Sequence, residues 1–174
     1  MGWEDAYHFR PAHRRDLALL RPWLRTEEVM RWWGDPEEQA ALLEGDLGEP
    51  LMEMLIVSYA DQPFAYAQHY EVHSWPQPHL AELPVGSSAI DTFIGEPRMI
   101  GRGHGAAFLR LLARQLRREG APEVAIDPAP KNLRARRAFA RAGFVEQRYQ
   151  ATVNAIVMLF RDGSNSRMID PSAR

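Results

Sequence analysis

Three glycines at alternate positions, Gly101, Gly103 and Gly105, mark the stretch of this sequence that is best suited to bind a ligand. Residues 87–94 before them have the pattern of a β-strand, and residues 106–118 after them have that of an amphipathic helix. Glycines let a ligand approach the backbone closely, and the unpaired N–H groups of a helix N-terminus attract anions. The spacing therefore predicts a receptor for a pyrophosphate, with a simple tight turn as the alternative.

Other nucleotide-binding motifs do not explain this loop. No Gly-Lys-Ser or Gly-Lys-Thr follows it, as a Walker loop requires, and the full glycine spacing of a dinucleotide-binding loop is absent. The chain contains no cysteine, which excludes a disulfide framework, a thiol nucleophile and a thiolate metal site. The six histidines show no metal-ligand spacing with acidic residues, and we therefore predict no metal.

Charge is divided unevenly along the chain. Residues 1–97 hold six arginines, no lysine and 17 acidic residues, whereas residues 98–174 hold 15 basic and six acidic residues. A basic half that begins at the glycine loop suits a phosphate-bearing cofactor, and an acidic half suits a small cationic partner. The alternative is that the two halves are merely solvated and neutralise each other. The arginines lack interleaved aromatic residues, so we expect no nucleic-acid partner.

Hydrophobic periodicity divides the chain into strands and helices. Strands are predicted over residues 7–11, 52–59, 64–72, 87–94, 124–126, 144–150 and 154–161. Helices are predicted over residues 13–24, 29–34, 35–47, 106–118 and 132–141. This order predicts an α/β protein with one mixed sheet of about seven strands, flanked by four to five helices. We expect one domain over residues 1–161 and a tail over 162–174.

Length and composition agree with a single globular domain. A chain of 174 residues with 45% hydrophobic residues and five tryptophans can bury a sizeable core. There is no run of about 18 apolar residues and no charged-then-apolar leader, so we expect a cytoplasmic protein without a membrane partner.

Two motifs resemble the GNAT acetyltransferases. Arg98-x-x-Gly101-x-Gly103 is similar to the acetyl-CoA loop of that family, and the sequence from Asp127 to Ala135, followed by Ala142-Gly143-Phe144, resembles its C-terminal motif. The likeness extends over residues 7–161. More specific similarity to the aminoglycoside 6'-N-acetyltransferases lies in Trp32-Trp33-Gly34, Tyr66-Ala67-Gln68-His69-Tyr70, Ile90-Asp91 and Asp127-Pro128.

The resemblance implies a GNAT fold with a twisted, mostly antiparallel sheet and an acetyl-CoA-dependent N-acetyltransferase. In the similar enzymes, the aspartate that matches Asp91 faces the acceptor amine as base and cation anchor, and the one that matches Asp127 contacts a substrate amine. A backbone N–H near Thr92 or Phe93 is the expected oxyanion donor. The structural alternatives are a strand-surface carboxylate for Asp91 and a turn cap for Asp127.

Acetyl-CoA is the expected co-substrate, held by loop amides, by the side chain of Asn132 and by nearby basic residues. The expected cofactor-binding positions are Phe93, Arg98, Met99, Ile100, Gly101, Arg102, Gly103, His104, Gly105, Asn132, Arg134, Ala135 and Arg137.

The acceptor pocket is expected to be bordered by aromatic and polar side chains. Adjacent tryptophans on a helix cannot face the same way, so we expect one of Trp32 and Trp33 in the core and the other, Trp33, at the substrate. Core packing is the alternative for both. Gln68 and Tyr70 share one face of their strand and are predicted to border the same pocket, whereas His69 faces away.

One departure from the family pattern affects the chemistry. Many members carry a tyrosine where this chain has Phe139, and that tyrosine is usually regarded as the acid that protonates the departing thiolate. Because Phe139 has no proton to give, water or another group must act, or the thiolate leaves as such. We expect a working but slower enzyme, with an inactive one as the alternative.

Three functions remain open from the sequence. The first is acetyl transfer to a primary amine of a cationic small molecule, an aminoglycoside 6'-amine, by direct attack in a ternary complex, because no cysteine or serine triad offers a covalent route. The second is N-acylation of lysine, hydroxylysine, siderophore or polyamine amines. The third is a non-catalytic CoA-binding module, which Phe139 favours. The sequence fits a monomer or a homodimer.

Overall fold

The computed structural model describes residues 2–163, so all but the first two residues of the expected tail lie outside the described residues. The described chain forms seven strands and five α-helices. The strands are β1 (Tyr7–Pro11), β2 (Met52–Tyr59), β3 (Gln62–Glu71), β4 (Ser88–Ile94), β5 (Val124–Ile126), β6 (Phe144–Gln150) and β7 (Ala155–Phe160). The helices are α1 (Leu17–Leu24), α2 (Glu27–Trp33), α3 (Pro36–Asp46), α4 (His104–Arg118) and α5 (Leu133–Ala142).

All seven strands belong to one sheet, in the spatial order β1-β2-β3-β4-β5-β7-β6. Neighbouring strands run antiparallel except β4 and β5, which are parallel. The predicted α/β class, the number of strands and the mixed, mostly antiparallel sheet are therefore confirmed.

Helices cover both faces of the sheet and divide the core in two. On one face, α4 and α5 bury residues such as Phe108 and Leu112 against Phe144. On the other face, α1, α2 and α3 bury residues such as Leu20 against Tyr66. Each face of the sheet therefore has its own apolar layer, and the central strands between them are shielded from water on both sides, whereas the edge strands β1 and β6 are partly exposed.

Capping residues define both ends of helix α5. Asn132 caps α5, because its Oδ1 accepts a hydrogen bond from the N–H of Ala135 at 3.1 Å. Gly143 ends the same helix with φ of 110°, a left-handed conformation that favours glycine. Both ends of α5 are thus set by residues that the sequence singled out.

A cleft opens between the two parallel strands. The strands β4 and β5 pair only at Ser88 with Val124 and at Ala89 with Ala125. Beyond these pairs β4 continues to Ile94 with only β3 as its neighbour. The edge of β4 that faces away from β3 therefore keeps backbone groups available to a ligand from residue 90 onward.

Three predicted helix starts differ from the observed ones by two residues or more, and that of α2 lies at Glu27 instead of residue 29. The first helix begins at Leu17 instead of residue 13, because residues 14–16 form a 3₁₀ turn. The Asp16 carboxylate fixes this turn by accepting hydrogen bonds from Arg10 at 2.8 and 2.7 Å and from the N–H of His13 at 2.8 Å. Helix α4 begins at His104, two residues before the predicted start.

Candidate active site

Two connected cavities lie where β4 and β5 diverge. The first, of about 140 Å³, is bounded by β4, the N-terminus of α4, and helices α2 and α5. The second, of about 350 Å³, lies beside the ends of β4 and β5. The residues that line both are Trp32, Trp33, Thr92, Asn132, Ala135 and Phe139. A ligand in the first cavity can therefore present a group to a ligand in the second.

The glycine loop has the geometry of an anion receptor. Gly101 and Gly103 have φ of 77° and 90°, and both line the first cavity together with Gly105. Among the described residues, the backbone N–H groups of residues 102–105 have no hydrogen-bond partner. These groups lead into the N-terminus of α4, where the helix dipole also favours an anion.

The structure divides the predicted cofactor-binding residues into two groups. Those that line the first cavity are Phe93, Ile100, Gly101, Gly103, Gly105, Asn132, Arg134 and Ala135. The side chains of Arg98, Arg102 and Arg137 are exposed and line neither cavity, and Met99 packs against the core. Of the predicted arginines, Arg134 alone is a wall residue of these cavities.

The side chain of His104 turns away from the cleft. Its Nδ1 lies 2.7 Å from the hydroxyl of Tyr7, and its ring contacts the rings of Tyr59 and Phe64. Burial, with a smaller effect from Arg102, lowers the pKa of this imidazole. Only the backbone N–H of His104 can therefore take part in an anion site.

A charged pair bridges the first cavity from α2 to α5. Arg134 lies 3.3 Å from the carboxylate of Glu28, and the Nε1 of Trp32 donates to the same carboxylate at 3.3 Å. Glu28 is a wall residue that sequence reasoning missed, because a glutamate in the first turn of a helix has an ordinary explanation in the helix dipole.

Asp91 lies in the second cavity, where its protonation is strongly perturbed. Burial and then repulsion by Asp127 raise its pKa to about 6, against the opposing effects of Gln68 and His79. One oxygen, Oδ2, accepts a hydrogen bond from Gln68 at 2.9 Å. A carboxylate with this pKa can accept a proton from an amine near neutral pH.

Asp127 follows β5 and lines the same cavity as Asp91. Its Oδ2 lies 2.6 Å from Nε2 of His79, which comes from the segment between β3 and β4. The two carboxylates interact electrostatically, because Asp127 raises the pKa of Asp91. His79 was missed by sequence reasoning, since it lies among prolines in a segment without periodicity.

Gln68 and Tyr70 lie behind the cavity instead of bordering it, which corrects the sequence prediction. Gln68 is directly opposite Asp91 in the pairing of β3 with β4, so its amide contacts that carboxylate. The amide is itself oriented by Tyr66, whose hydroxyl donates to Oε1 of Gln68 at 2.7 Å. Tyr70 is buried in the core, where burial, Asp91 and Asp127 raise its pKa. Gln68 therefore contacts Asp91 directly, because the strand register places the two residues opposite each other.

Both tryptophans of α2 line the cavities, and Trp33 also packs against the core, so the two predicted roles fall together on Trp33 and Trp32 is not a core residue. Trp32 and Trp33 are each half-buried. Trp33 packs edge-on against Phe93, with ring centroids 5.0 Å apart. The helix end places both rings over the cleft, which is open there because β5 has turned away from β4.

Phe139 lies at the junction of the two cavities. It is 9% exposed, and its ring contacts Phe144 in the core. Across the junction, Thr92 lies on the free edge of β4, and its hydroxyl donates to the carbonyl of Tyr66 at 2.5 Å. The hydroxyl of Thr92 is thus engaged in the sheet, so the predicted oxyanion donor at this position stays a backbone N–H.

Two further features concern metals and membranes. In residues 2–163 no three histidine, aspartate or glutamate side chains are arranged to hold a metal ion. Within the same range, no helix has both the length and the apolar character needed to span a bilayer.

Comparison with known proteins defines the class. A family model described as acetyltransferase (GNAT) domain matches residues 12–152, and the chain belongs to this family. It is 30% identical over 158 residues to aminoglycoside N(6')-acetyltransferase type 1 of Klebsiella pneumoniae, an alignment that covers 82% of this chain and 76% of the relative.

Solved structures give the same result for the fold. AAC(6')-Ib in complex with paromomycin and acetyl-CoA has a TM-score of 0.79 at 26% identity, covering 91% of this chain and 94% of that one. The same enzyme with coenzyme A and kanamycin has a TM-score of 0.75 at 27% identity, covering 90% and 95%. The protein is therefore an acetyl-CoA-dependent N-acetyltransferase with a GNAT fold.

Proposed function

We propose that this enzyme transfers the acetyl group of acetyl-CoA to the 6'-amine of an aminoglycoside by direct attack within a ternary complex. The observation that carries the proposal is the position of Asp91. Its carboxylate lies in a cavity that shares a wall with the glycine-loop cavity, and its pKa of about 6 suits a base. An amine held at Asp91 is therefore next to the end of a thioester bound along Thr92.

The residues of the first cavity suit acetyl-CoA. The glycine loop offers unpaired amides for a pyrophosphate, and Asn132, Arg134 and Ala135 offer a polar and apolar wall for the cofactor arm. When bound, acetyl-CoA supplies an acetyl thioester whose carbonyl carbon accepts the amine.

The chain's own residues then perform three tasks. Asp91 anchors the acceptor ammonium and accepts its proton, which leaves a nucleophilic nitrogen. A backbone N–H on the free edge of β4, near Thr92 or Phe93, stabilises the negative charge that develops on the carbonyl oxygen. As the C–N bond forms, the nitrogen releases its second proton to solvent, the C–S bond breaks and the sulfur takes a proton from solvent, because Phe139 offers none.

An aminoglycoside fits the charge of the second cavity. Asp91 and Asp127 provide two carboxylates for an acceptor that carries several ammonium groups, and Trp32 and Trp33 offer aromatic faces of the kind that stack on sugar rings. The similarity to enzymes named as aminoglycoside acetyltransferases, at 26–30% identity, supports this choice of acceptor.

A second candidate is transfer to another cationic amine, of the polyamine or lysine kind, which the paired carboxylates of Asp91 and Asp127 could also receive. The two candidates are separated by measuring CoA release with a thiol reagent, using acetyl-CoA and a panel of kanamycin, spermidine and lysine. Release with kanamycin is expected. Release with spermidine or lysine alone would favour the second candidate, and binding of acetyl-CoA without release by any of the three would contradict both.

A further inference from the structure

His79 does not line the acceptor cavity, but its imidazole contacts the carboxylate of Asp127, which does. It lies on a 3₁₀ turn, Pro78–Leu80, in the segment between β3 and β4, and it is 8% exposed. Its Nε2 is 2.6 Å from Oδ2 of Asp127. Because an ionised carboxylate only accepts hydrogen bonds, the imidazole must donate Nε2–H.

The segment that carries His79 is fastened at its base. The carboxylate of Glu71 accepts hydrogen bonds from the N–H groups of His73, Ser74 and Gly86, at 3.1, 2.6 and 2.8 Å. The Nε2 of His73 lies 2.7 Å from the carbonyl of Leu83. These contacts close the two ends of the segment on each other.

The tip of the segment is fastened to β6. Arg148 donates to the carbonyl of His79 at 3.1 Å and lies 3.3 Å from the carboxylate of Glu82. The backbone on both sides of His79 is therefore held in place. The contact between its imidazole and Asp127 is a fixed feature of the fold.

This arrangement leaves Asp127 with one oxygen for a ligand. His79 occupies Oδ2, whereas the described residues give Oδ1 no hydrogen bond.

We propose that His79 is a positioning residue for acceptor binding: it orients Asp127 so that Oδ1 receives a second ammonium group of the acceptor while Asp91 receives the reacting amine. The inference rests on the proposed function, since it needs an acceptor with at least two amines. Asp127 then selects polycationic acceptors, and His79 sets the geometry of that selection.

Binding of neomycin to the enzyme–CoA complex, measured by calorimetry, tests the proposal without requiring turnover. Loss of a hydrogen bond to a charged group predicts that His79→Leu weakens neomycin binding about tenfold and leaves acetyl-CoA affinity unchanged. His79→Gln, which keeps a side-chain N–H donor, should restore most of the affinity. The single-amine sugar 6-amino-6-deoxyglucose should bind equally to wild type and His79→Leu.

His8→Leu is the control, because it makes the same change at an exposed position of β1, away from Asp127 and from the segment that carries His79. An equal loss of neomycin affinity in both variants, or no loss in His79→Leu, would overturn the proposal. Imidazole ¹H–¹⁵N NMR should show the Nε2–H tautomer of His79, with a shift that changes in Asp127→Asn, and an Nδ1–H tautomer would contradict it. Tight neomycin binding with no acetyl transfer would count against the proposed function alone.

Discussion

Gln68 and Asp91 face each other across β3 and β4, and Nε2 of Gln68 donates to Oδ2 of Asp91 at 2.9 Å. The hydroxyl of Tyr66 holds the other end of the Gln68 amide, so the orientation of the donor is fixed. This hydrogen bond lowers a pKa that burial and Asp127 raise. Burial and Asp127 thus dominate the pKa of the proposed base, and Gln68 lowers it from outside the cavity.

Replacing Gln68 by leucine is expected to raise the pKa of Asp91 above its value of about 6. Since the proposed reaction needs ionised Asp91, the rise of kcat/KM with pH should move to higher pH. Tyr66→Phe should produce a smaller shift in the same direction. The pH profile of acetyl transfer measures this, and His69→Gln, on the opposite face of β3, is the control that should leave the profile in place. A pH profile unchanged by Gln68→Leu would show that Gln68 does not influence the pKa of Asp91.

Asp91→Asn is expected to lower kcat by roughly 10²–10⁴-fold, the range of general base catalysis, while acetyl-CoA affinity stays the same. The variant should also be more stable. A carboxyl whose pKa is raised on folding destabilises the native state above about pH 6, and this cost disappears below the unfolded pKa of 3.8. We therefore expect a gain in unfolding free energy of ~1–3 kcal/mol at pH 7 and none at low pH.

Thermal unfolding at both pH values and steady-state kinetics measure the two effects of Asp91→Asn. Asp61→Asn, at the exposed turn between β2 and β3, is the control and should change neither quantity. Full activity in Asp91→Asn would contradict the role of Asp91 as base.

Phe139→Tyr is expected to raise kcat, because it adds a hydroxyl where the two cavities meet and a thiolate must take up a proton. The gain should not exceed roughly 10²-fold, the lower end of general acid effects. Phe144→Tyr is the matched control: its ring is buried in the core, so the added hydroxyl should lower the melting temperature without raising kcat. If kcat does not rise in a folded Phe139→Tyr variant, protonation of the sulfur does not limit the rate.

Gly95→Ala is expected to destabilise the protein and weaken acetyl-CoA binding. A Cβ at Gly95 would lie 2.1 Å from the ring of Trp23, and this turn leads from β4 into the glycine loop. Gly45→Ala in α3 is the control, because a Cβ there meets open space and should stabilise the helix by about 0.5–1 kcal/mol. Equal melting temperatures for Gly95→Ala and wild type would show that a Cβ at position 95 does not clash with the ring of Trp23.

The sequence was sufficient for the order of elements and for the residues at strand ends. Period-two and period-3.6 patterns identified the seven strands and the helices within a few residues, and Asp91 and Asp127 do lie in one cavity. The glycine loop was recognised as a candidate ligand-binding loop, because three glycines at alternate positions have few purely structural explanations.

The rest depended on tertiary geometry. Strand register decides that Gln68 contacts Asp91, and no pattern within β3 reveals which residue of β4 lies opposite. His104 is the first residue of α4, two positions before the start that periodicity predicted, and its ring is buried against Tyr59 and Phe64 from strands distant in sequence. His79 lies in a segment whose shape is set by Glu71 and Arg148, and contacts of this kind leave no local pattern.

Acetylation of neomycin and paromomycin, which differ only in having an amine or a hydroxyl at the 6' position, tests the central claim most directly. With acetyl-CoA and the purified protein, mass spectrometry is expected to show singly acetylated neomycin and unmodified paromomycin. Acetylation of both would contradict transfer to the 6'-amine, and acetylation of neither would contradict an aminoglycoside as the acceptor.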